Sequence, residues 1–198
     1  MGTISAGFSM SLDGFIAGPN DDVNRLFGWM ALGNTDLELS SGDTDFDLQM
    51  SSEDAGQYQE MMVQTGAIVS GRRMFDVAGA WGGKHPMGVP VVVVTHNPPQ
   101  EWVYEGSPFT FVTEGVESAI EKARQIAGEK NIGVGGADIA RQCLILGLLD
   151  EINIDLVPVL LGQGVRLFEY LGIEPVELEP IGGRKAPGVI HLSFRVCK

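Results

Sequence analysis

Three short stretches carry residue types suited to phosphate-bearing ligands, and each follows an apolar run that reads as a strand. In Asn131-Ile132-Gly133-Val134-Gly135-Gly136-Ala137-Asp138-Ile139-Ala140 the run meets a glycine pair and turns into a helical pattern. A strand, a tight turn and a helix N-terminus aim free backbone N–H groups and a positive dipole end at an anion. The stretch is not a dinucleotide fingerprint: with Gly133 and Gly135 as the first two glycines, the third position is Asp138. An ordinary glycine-lined turn is the alternative.

Gly71-Arg72-Arg73 follows Ala67-Ile68-Val69-Ser70 and offers two guanidinium groups; Thr95-His96 follows four consecutive valines and offers a hydroxyl and an imidazole. Ligands of α/β sheets gather outside the carboxyl ends of strands. Two arginines on that rim suit a nucleotide with a second phosphate, since arginine grips phosphate bidentately where a ribose hydroxyl would favour an acid. A solvated helix start is the plainer reading of Arg72 and Arg73. The acids that invite a chemical role are Glu53 and Asp54, in the first turn of a helix running to Gln64 with Ser51 or Ser52 as N-cap; acids also suit that dipole end without any ligand. Asp43-Thr44-Asp45-Phe46-Asp47 opens like a calcium loop, but Leu48 stands where the turn needs glycine and the twelfth position is Asp54. A solvated acidic loop fits better, and no metal is expected.

The elements that must position these residues alternate along the chain. Thr3 to Ser11 reads as a strand ending in the turn Leu12-Asp13-Gly14. Residues 21–52 show no sustained period beyond a short helix near Val23 to Ala31, and a stretch of that length is expected to be a lid, a binding loop or disordered. Strands follow at 67–71, 89–95 and 109–112. Val116, Ala119, Ile120, Ala123 and Ala127 recur at helical spacing, and Ile139 to Leu146 makes an apolar helix closed by Gly147. Ile152, Ile154 and Leu156 alternate as a strand. Pro158 to Gly164 is turn-rich, and 175–181 and 189–196 flank Gly182-Gly183 as a terminal antiparallel pair. The pattern predicts an α/β fold with one mixed, mostly parallel sheet, helices on both faces, and a single domain over 1–198.

With 44% hydrophobic residues, the 198-residue chain can bury a real core. Its net charge of −13, of which residues 21–55 supply −8, excludes a general affinity for nucleic acid or an anionic membrane. Met1-Gly2-Thr3-Ile4 has no basic region, and no apolar run nears the roughly 20 residues of a span, so the expected location is cytoplasmic. Cys143 and Cys197 lie in no metal or redox motif and read as free thiols.

Four motifs then fall in a recognisable order: Ser9-Met10-Ser11-Leu12-Asp13-Gly14-Phe15-Ile16-Ala17, Gly71-Arg72-Arg73-Met74-Phe75, Gly133-Val134-Gly135-Gly136-Ala137, and Pro158-Val159-Leu160-Leu161-Gly162-Gln163-Gly164-Val165-Arg166-Leu167-Phe168. Together they resemble the dihydrofolate-reductase-like family, above all the reductase domain of the riboflavin-biosynthesis deaminase-reductase and its stand-alone relatives. The resemblance implies a sheet of about eight strands and NADPH as hydride donor to a small heterocyclic substrate, pterin-like or pyrimidine-like. It places Ile16 and Ala17 over the nicotinamide, and Gly71, Arg72 and Arg73 at the adenosine 2′-phosphate. Thr95 and His96 fall on the adenosine side. Val134, Gly135, Gly136, Ala137, Asp138 and Ile139 fall around nicotinamide and pyrophosphate, with a cis peptide between the two glycines. Asp54 is the candidate catalytic acid, although the family's helix acid falls on Ala55. The resemblance also implies a homodimer. The competing expectation is a cofactor-binding or oligomeric module of the same fold without turnover.

Overall fold

The computed structural model describes residues 2–41 and 44–198. Its elements in chain order are β1 (Ile4–Ser11), β2 (Phe15–Ala17), α1 (Asn24–Phe27), β3 (Thr35–Ser41), β4 (Thr44–Met50), α2 (Ser52–Gln64), β5 (Thr65–Gly71), α3 (Arg72–Val77), β6 (Val91–Val94), β7 (Phe109–Val112), α4 (Val116–Ala127), β8 (Asn131–Gly135), α5 (Ala137–Ile145), β9 (Glu151–Val157), β10 (Val165–Arg166), β11 (Leu178–Ala186) and β12 (Val189–Val196). Eight of the strands form one sheet in the order β11-β12-β9-β1-β8-β5-β6-β7, parallel from β9 to β7 and antiparallel at β12 and β11. Among the described residues no helix is long and apolar enough to cross a membrane.

Side chains alternate across a strand, so each strand of the sheet writes two rows. Ile4 and Ala6 of β1, Ile132 and Val134 of β8, and Ile152 and Ile154 of β9 point to one face, where α4 and α5 bury Ala119, Ile120, Ala123, Ile139, Ala140 and Cys143 against them. Burial pushes the Cys143 thiol up to about 12, so it stays a neutral packing group, while Cys197 is exposed. The opposite face is covered in two separate patches. Over β5, β6 and β7, Phe75 of α3 meets Phe109, Phe111 and Trp102 edge to face at 5.0, 5.6 and 6.3 Å. Over the far side, Leu26, Trp29, Leu37, Leu39, Met50 and Ala55 pack with Val157 and Val189.

Two expectations change here. The short helix expected near Val23 to Ala31 is there as α1 and a 3-10 turn at Gly28–Ala31, but the rest of 21–52 is not a structureless loop: the antiparallel hairpin β3–β4 occupies most of it. Leu37, Leu39 and Met50 face the core at period two, but the intervening Asp36, Glu38 and Gln49 dilute the hydrophobic signal. Asp43, where the calcium-loop reading begins, lies outside the described residues. The terminal hairpin turns at Pro187-Gly188 rather than at Gly182-Gly183, which sit inside β11 beside a register shift after Pro180. Gly188 holds φ +74°, a conformation glycine adopts without cost, and it supplies the turn.

Candidate functional site

The strand ends converge as the sequence predicts. β5, β8 and β6 are parallel neighbours, and Gly71, Gly135 and Thr95 stand at their carboxyl ends. Arg72 starts α3; its Nε donates to Asp76 Oδ1 at 2.7 Å and its Nη1 to the Asn97 carbonyl, which ties the β5 end to the turn after β6. The Thr95 hydroxyl is absorbed by that same turn, accepting the Asn97 N–H at 3.2 Å, while His96 is exposed. Arg73 reaches the other way, with Nη2 on both oxygens of Asp21 at 2.9 and 3.0 Å. Both arginines keep a further nitrogen uncommitted among the described residues.

At the glycine pair no cis peptide bond occurs, and none occurs elsewhere among the described residues. The expected cis geometry is replaced by a positive φ: Gly136 at +92° swings the chain from β8 into α5 as its N-cap. Val134, Ala137 and Ile139 are buried, so they hold the turn from below and leave backbone, Gly135, Gly136 and Asp138 at the rim. Met74 lies over Gly135: a Cβ there would stand 3.0 Å from its Sδ, a contact that the flexible methionine side chain can yield to. Asp138 does not cap the helix; its carboxylate lies along it, accepting Gln142 Nε2 at 2.7 Å and Arg141 Nη2 at 3.3 Å.

Ile16 and Ala17 are set by a clamp between the first and fourth motifs. The Asp13 carboxylate accepts the Ser11 hydroxyl at 2.6 Å and the N–H groups of Leu161 and Gly162 at 3.1 and 2.7 Å, contacts that hold its pKa down at about 2. Arg166 donates to the Asp13 carbonyl at 3.0 Å and covers the Phe15 ring at 4.3 Å. Beside this clamp β2 pairs with β10, opposite Val165 and Arg166. Gly18, Pro19, Asp22, Arg25, Leu26 and Leu161 line an adjoining hollow of about 350 Å³. A second hollow, of about 290 Å³, lies at Asp150 and Arg195, by the amino end of β9 and away from this rim.

Between the two covered patches of the sheet the floor is bare. Gly7, in the middle of β1 with strands on both sides, is exposed, and a Cβ built on it would touch nothing within 4 Å. Its row continues through Asn153 of β9 to Ser193 of β12, both half-buried. Gly135 of β8 lies on the other side, level with Ser70 of β5. One pleat further along, Ser9, Asp155, His191 and Arg184 stand in register across β1, β9, β12 and β11.

That second row meets α2. Asp54 has a side chain only 4% exposed, and it is surrounded: Arg184 Nη2 donates to Oδ1, His191 Nε2 lies 3.1 Å from the same oxygen, and the Ser51 hydroxyl donates to Oδ2 at 2.7 Å. Burial pushes the Asp54 pKa up, but the Ser51 hydrogen bond, the Arg184 guanidinium and His191 outweigh it and hold the carboxyl below its ordinary value. The His191 contact is ionic in distance yet out of line for a hydrogen bond, so its ring is oriented from the other side, where Nδ1 meets Asp155 Oδ1 at 2.7 Å. Trp29 sets its ring edge-to-face with His191 at 5.2 Å and donates Nε1–H to Ser9 Oγ at 3.1 Å. Tyr58 completes the wall; burial and then the charge of Asp155 raise its pKa. Ser51 is also the N-cap of α2, accepting the Asp54 N–H at 3.1 Å. Ser51→Ala is expected to cost about 1–2 kcal/mol in urea unfolding, since it removes the cap and one partner of a buried carboxylate.

Glu53 and Asp54 are legible in the sequence as helix-start acids; Arg184, His191, Asp155, Trp29 and Ser9 carry no such local mark. The signal available was Asp155 within the Ile152/Ile154/Leu156 alternation and a histidine and an arginine in the terminal hairpin, but only the register shows that they share a row.

The family described as the RibD C-terminal domain matches residues 3–192. A putative riboflavin biosynthesis protein from Shewanella sp. PV-4 superposes with a TM-score of 0.75 at 21% identity, covering 100% of both chains. A diaminohydroxyphosphoribosylaminopyrimidine deaminase/5-amino-6-(5-phosphoribosylamino)uracil reductase from Thermotoga maritima superposes at 0.63 with 13% identity, over 99% of this chain and 57% of its own. An uncharacterized Bacillus subtilis protein, YwjB, is 31% identical over 77 residues, 35% of this chain and 44% of that one.

Proposed function

Because the chain belongs to the RibD C-terminal domain family, we propose that it is a reductase using NADPH to reduce a small nitrogen heterocycle, pterin-like or pyrimidine-like. The observation that carries this reading is the bare sheet floor above Gly7 of β1, bounded by Met74 over the glycine end of β8 on one side and the polar row of β9 and β12 on the other. It leaves room for a flat ring. When bound, NADPH supplies the hydride. The chain's own residues bind and orient. Gly135, Gly136 and the uncapped first turn of α5 offer backbone N–H groups to a pyrophosphate, Ile16 and Ala17 cover the reacting ring, and Arg72 and Arg73 offer guanidinium to a 2′-phosphate, with Gly71, Thr95 and His96 beside them. Asp54, with both oxygens engaged inside the fold, serves to hold the wall rather than to touch substrate.

Arg72→Ala tests the cofactor assignment. Loss of a bidentate phosphate contact is expected to weaken NADPH binding about 10- to 100-fold and to leave NADH binding nearly unchanged, read by quenching of tryptophan fluorescence. Equal affinity of the unaltered protein for NADPH and NADH would overturn the assignment.

A further inference from the structure

Resting on the reading of the bare floor as the substrate cleft, we infer that Asp155 of β9, and not an acid of α2, is the carboxylate that meets the substrate, and that it selects a ring presenting an N–H donor edge. The two acids differ in what remains free. Asp54 is almost wholly enclosed and both of its oxygens have partners. The Asp155 side chain is 32% exposed, spends Oδ1 on His191, and has no partner for Oδ2 among the described residues.

Its placement supplies the rest of the argument. Asp155 lies on the same sheet face as Gly7 and Asn153, two residues along β9 from Asn153, and the space above Gly7 is open. Asn153 and Ser193, the neighbours in the open row, make no side-chain hydrogen bond among the described residues and so bring an amide and a hydroxyl to the same floor. Adjacent strands lie about 4.8 Å apart, so Asn153 stands within one strand spacing of the open floor at Gly7, while Met74 closes the far side over Gly135. A carboxylate accepts hydrogen bonds and donates none, so the complement of the free Oδ2 is the amino group of an amino-substituted heterocycle. His191 is the positioning residue: Nδ1 fixes Asp155 Oδ1, while Asp54, held by Arg184 and Ser51, sits behind the imidazole.

Calorimetric titration of the full chain, with and without NADPH, uses 2,4-diaminopyrimidine as the probe and 2,4-dimethylpyrimidine as the control of equal shape without donors. The expected result is binding of the diamino ring and little binding of the dimethyl ring. Asp155→Asn should weaken the diamino ring about 10- to 100-fold while NADPH affinity and melting temperature hold. His191→Gln, which keeps a donor toward Asp155, should lose less than His191→Leu. Should Asp155→Asn fail to fold, the two His191 variants decide the matter: equal loss of the diamino ring in His191→Gln and His191→Leu, or no loss in either, overturns the inference. A folded Asp155→Asn that binds the diamino ring as well as the unaltered protein, or an unaltered protein blind to the amino groups, overturns the inference. If the diamino ring binds through Asp155 but NADPH does not bind at all, the inference stands and the reductase reading falls.

Discussion

Arg184→Ala is expected to destabilise the protein by about 3–5 kcal/mol at neutral pH, the usual cost of leaving a buried charge without its partner. The guanidinium donates to Asp54 and to Gln57 Oε1 at 3.1 Å, with Glu53 Oε1 3.2 Å from its Nε. Among the described residues Arg184 is the only arginine or lysine paired with Asp54, and the His191 contact on the same oxygen is poorly aligned. The pH dependence follows from the sign of the shift. The folded pKa of Asp54 lies below its ordinary value, so its stabilisation is full above the unfolded value near 3.9 and fades as pH falls through the folded one. Without Arg184 the same carboxyl is buried and under-partnered, which raises its pKa, and protonation relieves the variant. The stability gap between the two proteins should therefore be widest at neutral pH and narrow below about pH 4. Urea unfolding at a series of pH values measures it; a gap that stays constant with pH would show that Arg184 acts through packing alone.

Gly164→Ala should be nearly as damaging, for a backbone reason. Gly164 sits at φ +136°, and a Cβ there would stand 2.0 Å from the Ala17 carbonyl oxygen and 2.9 Å from Gly18 Cα. Both obstacles are main chain and cannot swing aside. The β10 strand must then leave β2, at a cost of about 2–4 kcal/mol from overpacking and strain. Since Ala17 and Ile16 lie on β2, loss of NADPH affinity should accompany the lower melting temperature. A variant that melts lower but binds NADPH as before would separate the strap from the proposed cofactor site.

The sheet was legible because its parallel strands are buried on both sides and leave apolar runs, as in Val91–Val94. The helix α4 was legible because Val116, Ala119, Ile120 and Ala123 mark one side of a 3.6-residue period. The rim of Gly71, Arg72, Thr95 and Gly135 followed from the same strands, since a strand's end is local information. The wall behind Asp54 could not follow. His191 and Asp54 are 137 positions apart, and what joins them is the antiparallel register of β12 on β9 together with the docking of α2, neither of which leaves a local periodicity. The hairpin β3–β4 failed for a different reason: its buried leucines alternate with acids, which suits a surface ribbon and masks its hydrophobic face.

The position of β1 governs the order in which this chain can assemble. The first strand of this fold is central: Ile4 pairs with Ile132, and Ser5 with both Gly133 and Glu151. Each contact closes a loop of well over a hundred residues, so the sheet cannot zip up from the amino end, and topology of this kind folds slowly. Until β8 and β9 have been made, β1 offers two unpaired edges and an apolar face, the form in which a nascent chain is prone to wrong pairing. The Asp13 clamp onto Leu161 and Gly162 can then close only late, so β2 takes its place only after β9 and the turn beyond it have been made.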